Sequence, residues 1–213
     1  MANTKKMTIT EGLVELKLYD NKISKAIQQA TFISCKKKRD KMIGTMKVED
    51  FEEMAKNSFQ SIMDMMRNRD AIKRAIVLSN ATTLITVAGQ TMTVAEAIEK
   101  RNLNNLPALL INKMGNDLIS NETYVRNKNA EVDAQAEKML VSYYGKDAAK
   151  KVSKEDYSNI VDPFKEANEY AVVDPLGLRE VYESMSKEHE EFFASVDTAL
   201  SVSNATTYIE VEV

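Results

Sequence analysis

Few residues in this 213-residue chain could do chemistry, and their spacing decides what kind. His189 is the only histidine and Cys35 the only cysteine. A nucleophile and base would have to be assembled around one or both of them. No nucleophile motif accompanies His189. It falls instead at a seven-residue-repeat position among Met185, Phe192 and Val196, the setting of a packing or interface histidine. Cys35 stands beside Lys36, Lys37, Lys38 and Arg39, a cationic setting in which reactive thiols occur, yet a single thiol at a charged run reads as incidental. One cysteine also excludes an intrachain disulfide and a zinc knuckle. The carboxylates at Glu49–Glu53 and Glu188–Glu191 read as helix-start and solvated-face charges. Metal-ligand spacing, a phosphate-cradling glycine loop and a P-loop lysine are all missing from the sequence. The expectation is a non-enzyme, with no catalytic, cofactor-binding or metal residue.

Two further stretches could recognise a partner. The run Lys36–Arg39, with Lys41, is the best nucleic-acid candidate. It lacks interleaved aromatics, so a solvated tip or a contact with an acidic protein is favoured over nucleic acid. Met63, Met65 and Met66 read as adaptable packing rather than a ligand groove. The net charge of −3 argues against a dedicated nucleic-acid binder, although residues 1–50 hold 11 Lys/Arg against 6 Asp/Glu and the remainder 18 against 26.

The elements that must position these residues are mostly helical. The chain has 6 Gly, 3 Pro, 12 Met and no Trp, few breakers for its length. Ile9, Leu13, Leu16, Ile23, Ile27 and Ala30 form a stripe that predicts a helix from Thr8 or Thr10 to about Lys36, with Asp20 as a polar interruption that fixes register. Lys36–Arg39 and Gly44 then form the tip of a helical hairpin. Phe51, Ala55, Ser58, Ile62, Met65, Arg69, Ile72 and Ile76 predict its second arm, from about Glu49 to Ser79. Ala88-Gly89-Gln90 between two β-branched runs predicts a tight β-hairpin, and Thr93-Val94-Ala95-Glu96 a capping box opening a third helix. Pro107 is expected to kink or end that helix.

The chain also repeats itself. Ser79-Asn80-Ala81-Thr82-Thr83 recurs as Ser203-Asn204-Ala205-Thr206-Thr207, an offset of 124, and each copy runs into a β-branched tail. Met7-Thr8-Ile9-Thr10-Glu11-Gly12-Leu13 aligns with Met92-Thr93-Val94-Ala95-Glu96-Ala97-Ile98 at an offset of 85. A duplicated unit follows, residues 1–87 and 88–213, the second copy carrying about 39 extra residues within 113–172. That insertion holds five of the eight tyrosines, Gly115, a helix-like stretch 130–144 closed by Gly145, a new start at Ser153-Lys154-Glu155, and Pro163. The last helix is expected from Asp174, with Pro175 in its first turn, to Val202. The expected fold is mainly α: two pseudo-symmetric antiparallel helical hairpins joined at one end by a small β-sheet. The tails after Asn80 and Asn204 are expected to share that sheet, directly or through strands at Met7 and Met92, with both asparagines in left-handed turns.

With these borders placed, the sequence resembles the septicolysin-like family of small coiled-coil proteins. The resemblance rests on Thr8–Leu13, on Asn80-Ala81-Thr82-Thr83, on Met92–Arg101, and on Val173-Asp174-Pro175-Leu176-Gly177-Leu178-Arg179 leading to Ser203–Thr207. It spans most of the chain outside the insertion. Versions with the Val-Asp-Pro-Leu element and this Asn-Ala-x-Thr ending look like those of tailed bacteriophages. The resemblance implies a structural virion component, capsid-, neck- or tail-associated, made in the host cytoplasm. It would act as a homo-oligomer or by docking on other virion proteins. The alternative is a nucleic-acid-associated accessory protein using Lys36–Arg39. The family supplies no catalytic residue, and no stretch approaching 18 apolar residues supports membrane insertion.

Overall fold

A computed structural model describes residues 4–103, 105–145 and 152–212, without the side chains of Asn105 and Asp156. Among these residues the fold is mainly helical. In chain order it runs β1 (Thr4–Thr8), α1 (Ile9–Gln29), β2 (Met42–Ile43), β3 (Met46–Lys47), α2 (Val48–Thr82), β4 (Leu84–Val87), β5 (Gln90–Thr93), α3 (Val94–Asn102), α4 (Asn105–Tyr144), α5 (Lys154–Asn168), α6 (Leu178–Thr206) and β6 (Tyr208–Glu212). It divides into two compact units, Met1–Leu103 with Phe192–Val213, and Asn104–Glu191.

In the first unit the repeated sequences perform repeated jobs. Thr8 caps α1: its hydroxyl accepts from the Glu11 N–H at 3.2 Å while its own N–H donates to the Glu11 carboxylate at 2.8 Å. Thr93 and Glu96 close the same box on α3 at 3.1 and 2.7 Å. At the other border, the Thr83 N–H donates to the Ser79 carbonyl at 2.8 Å and the Thr207 N–H to the Ser203 carbonyl at 2.9 Å. The Thr82 and Thr206 hydroxyls donate to the carbonyls of Leu78 and Val202, at 3.1 and 2.9 Å. These bonds satisfy the last helical carbonyls, so no left-handed residue is needed. Asn80 and Asn204 accordingly lie within α2 and α6, and the expected left-handed turns do not form. The single non-glycine with positive φ among the described residues is Ala88. With Gly89 it closes β4 onto β5 in the two-residue turn that the sequence predicts, both residues at positive φ (49° and 76°).

The expected single sheet is instead two. β4 pairs with β5, setting Ile85 opposite Met92, and β6 pairs with β1, setting Ile209 opposite Met7. Each pair has one buried face, and the two faces lie on different helices. Ile209 and Val211 pack with Met7, Ile9, Leu16, Ile72 and Ile76, from β1, α1 and α2. Val87, with Ile85 at its margin, packs with Val94, Ala97, Phe192, Val196 and Leu200, from α3 and α6. Under the offsets of 85 and 124 five buried positions match, Ile9 to Val94, Gly12 to Ala97, Ile72 to Val196, Ile76 to Leu200 and Val211 to Val87, whereas Leu16 falls on Arg101 and Phe192 on Asn68. Gly12 is the tighter of its pair. A Cβ there would stand 3.2 Å from Ile76 Cδ1 and 3.3 Å from Ile209 Cδ1.

Three helix borders differ from expectation. α1 ends at Gln29 rather than near Lys36, because the β-branched Thr31 and Ile33 that follow favour extended backbone. The stretch 130–144 is not a separate helix: α4 is continuous from Asn105 to Tyr144, with Pro107 in its first turn, where the missing N–H costs little. Gly115 serves close approach, since a Cβ would stand 3.1 Å from the Tyr182 ring. α6 begins at Leu178, not Asp174. The Asp174 carboxylate accepts from the N–H groups of Leu176 (3.1 Å) and Leu178 (2.7 Å) across a turn with Gly177 at φ 62°.

The second unit has its own small core of Ala136, Leu140 and Val161, flanked by Ile160 and Phe164, where α5 lies on α4. Asn129 then fixes the extended segment after α5: its carboxamide accepts from the Tyr170 N–H at 2.8 Å and donates to the Tyr170 carbonyl at 3.0 Å.

Ile72 is 1% exposed in the first core, whereas Val77 on the same helix is 54% exposed. Ile72→Ala is expected to lower stability by about 2–5 kcal/mol, read as a shifted urea midpoint at unchanged slope. Val77→Ala should stay within about 0.5 kcal/mol. Equal effects at both positions would contradict this core.

Candidate functional site

The residues singled out for chemistry fall in different units. Cys35 is exposed in the loop after α1, in the first unit. His189 is half-buried on α6, in the second. The carboxylates around His189 answer to their own helix: Glu188 accepts from the Ser184 hydroxyl, Glu190 from Ser186, and Glu191 pairs with Lys187 at 3.9 Å. Glu49 and Asp50 occupy the first turn of α2, where they complement the helix dipole. Among the described residues no group of three or more His, Cys, Asp and Glu is placed to hold a metal ion. No helix there is long and apolar enough to cross a membrane.

Perturbed titration marks structure rather than a reactive centre. Hydrogen bonds donated by Lys5 to Glu15, by Arg69 to Asp20, by Lys128 to Glu131, by Lys165 to Asp133 and by Arg179 to Glu122 raise each cation's pKa. Every one of these is a surface ion pair. The Asp20–Arg69 contact, 2.6 Å, gives the polar interruption in the α1 stripe its partner on α2.

Concavities follow the same logic. Open grooves of about 550 and 500 Å³ flank the two-helix arm of α1 and α2; Met66 with Arg69 lines one, and Met65 with Tyr19 the other. The methionine stretch therefore edges both grooves, with Met63, Met65 and Met66 all half-buried. In the second unit a cavity of about 320 Å³ is lined by Leu118, Tyr124, Val125 and Tyr170, the two tyrosine rings meeting edge to face at 5.8 Å. Its three acids are engaged: Asp117 by Lys113, Glu122 by Arg179, and Asp174 by backbone N–H groups.

What the structure does bring together is the tip of the α1–α2 arm. The extended run after α1 carries Phe32 onto Phe59 of α2, edge to face with centroids 6.2 Å apart. β2 and β3 then return the chain through Gly44 at φ 56°. The Val48 N–H donates to the Lys41 carbonyl at 3.1 Å, tying the end of the basic run to the start of α2. Lys36–Arg39 and Lys41 are exposed in the loop that follows Phe32. The Phe32–Phe59 pairing is not visible in the sequence, because its partners are 27 residues apart and only the fold joins them.

No family model, curated protein or solved structure matches the chain.

The two capping boxes generate a pH dependence. Hydrogen bonds from the Thr8 backbone and hydroxyl hold Glu11 below the usual glutamate range, and those of Thr93 do the same for Glu96. The folded state thus favours the carboxylates. Their stabilisation is present above the unfolded-chain value, about 4.3, and disappears as pH falls through the lower folded values. Thermal midpoints should drop on acidification through this window. Glu11→Gln/Glu96→Gln should show a shallower acid loss than the parent; identical slopes would remove the boxes as its source.

Proposed function

We propose that the protein is a non-enzymatic structural component that associates with further copies of itself or docks on a larger assembly. We place that assembly in a tailed-bacteriophage particle, at the capsid, neck or tail. The observation that carries the first part is a duplicated surface. Leu78 and Leu84, at the border of the first copy, are 66% and 65% exposed; Val202 and Tyr208, 124 residues on, are 58% and 60% exposed. Single exposed apolar residues are ordinary, but the same two positions left open in both copies favour paired contact surfaces on one chain. The second part rests on the Val173–Arg179 element and the repeated Asn-Ala-Thr-Thr border, which resemble the phage versions of the septicolysin-like family.

Light scattering on the eluting full chain should report a discrete oligomer at about 10–100 µM, a range in which weak structural contacts are occupied. A single monomeric mass throughout would count against self-association and leave only docking on a pre-formed assembly. For the particle, mass spectrometry of gradient-purified virions from the phage carrying the gene should detect the chain in fixed proportion to the other virion proteins. Its loss during purification would sink the virion assignment.

A further inference from the structure

The tip that joins α1 to α2 carries exposed apolar side chains and two charge clusters. Phe32, Ile33, Met42, Met46, Met54 and Phe59 are all exposed within residues 30–59, Ile33 to 87%. The same stretch holds a basic loop of five exposed cations, Lys36 to Arg39 and Lys41, and an acidic helix start of four exposed acids, Glu49, Asp50, Glu52 and Glu53; Asp40, Lys47 and Lys56 are exposed there too. None of these twelve makes an ion pair among the described residues. The basic run ends, at Lys41, on a backbone hydrogen bond to the first residue of the acidic helix start. Two opposite charge clusters thus share one tip without neutralising each other.

We infer that this tip is a self-complementary docking surface for the same tip of a second copy. The basic loop of each copy would lie against the acidic helix start of the other, around a Met- and Phe-rich centre. A two-fold contact requires that one patch carry both halves of every pairing, and both are present. A nucleic acid or an anionic membrane would use the cations alone and be repelled by the four acids. An apolar centre enriched in Met and Phe with a charged rim has the composition of a protein–protein interface, and methionine side chains adapt to an identical opposing surface. The inference rests on the self-association part of the proposed function and names its surface.

The test uses two full-length variants with opposite reversals. One replaces Lys36, Lys37, Lys38 and Arg39 by Glu. The other carries Glu52→Lys and Glu53→Lys and spares the acids of the first helical turn. Every reversed side chain is solvent-exposed, and circular dichroism checks that helicity equals the parent's. Each variant alone should associate at least about tenfold more weakly than the parent, and an equimolar mixture should recover association, because the reversed charges complement each other across copies. Ile33→Asp should weaken association without rescue by either. If the parent associates and both variants associate equally well, the tip is not the surface, although self-association stands. If the parent is monomeric, both the inference and the self-association reading fall. If a single-stranded oligonucleotide binds the parent and the Lys36–Arg39 reversal abolishes that binding while leaving association intact, the tip serves a polyanion and the inference is overturned.

Discussion

Neither helix–strand tail completes the core of its own copy, and the first unit depends on that exchange. β4 follows α2 but is buried with α3 and α6; β6 follows α6 but is buried with α1 and α2. The direction of exchange is set where helix becomes strand. The Thr83 carbonyl accepts from the Val94 N–H at 2.9 Å and the Thr207 carbonyl from the Ile9 N–H at 3.0 Å, so each tail is held at the mouth of a capped helix. These bonds also give a partner to N–H groups that a helix start leaves without one. Apolar burial then fixes the rest, because β6 alternates and only Ile209 and Val211 turn inward. A one-residue slip would exchange them for Tyr208, Glu210 and Glu212, and the charged side chains would face the core.

Exchange also explains why duplication is easier to read here than topology. The capping boxes at Thr8 and Thr93, the two-residue turn at Ala88-Gly89 and the repeated Ser-Asn-Ala-Thr-Thr border are local, with both partners of each bond a few residues apart. All of them are visible in the sequence as spacing. The tail after α2 joins β5 through that local turn, but the tail after α6 joins β1 through partners far apart in the chain, Met7 opposite Ile209, and no spacing carries that information. The left-handed asparagines failed for a related reason. Asn is permissive of that conformation, but Thr82 and Thr206 already satisfy the helix ends with their hydroxyls.

The second unit shows the opposite balance. Its helix borders at Gly145 and Lys154 fall where turn chemistry places them, yet nothing in the spacing around Gly115 shows that it is a packing residue. Glycine in a sequence signals freedom from a side chain; whether that freedom serves a turn or a close neighbour depends on what lies opposite. Here it is the Tyr182 ring. Asn129 similarly looks like a loop-former inside a helix, and its reason, bridging the Tyr170 backbone from 41 residues away, is tertiary.

Charge at the α1–α2 tip follows from how the arm is closed rather than from net composition. α1 stops at Gln29, and the four cations fall in the loop beyond it. The next helix needs negative charge in its first turn, and Glu49 and Asp50 supply it. Opposite clusters at one tip therefore follow from a cationic loop that leads into a helix start of the opposite sign. Local stability requires nothing more of them, and it does not require the six apolar side chains beside them to remain exposed. An isolated tip would gain by burying Phe32 and Phe59 more deeply or by replacing Ile33 with a polar residue, at no cost to either helix. The opposing tip proposed above would supply what the arm itself does not, a cover for these apolar side chains and a counter-charge for each cluster.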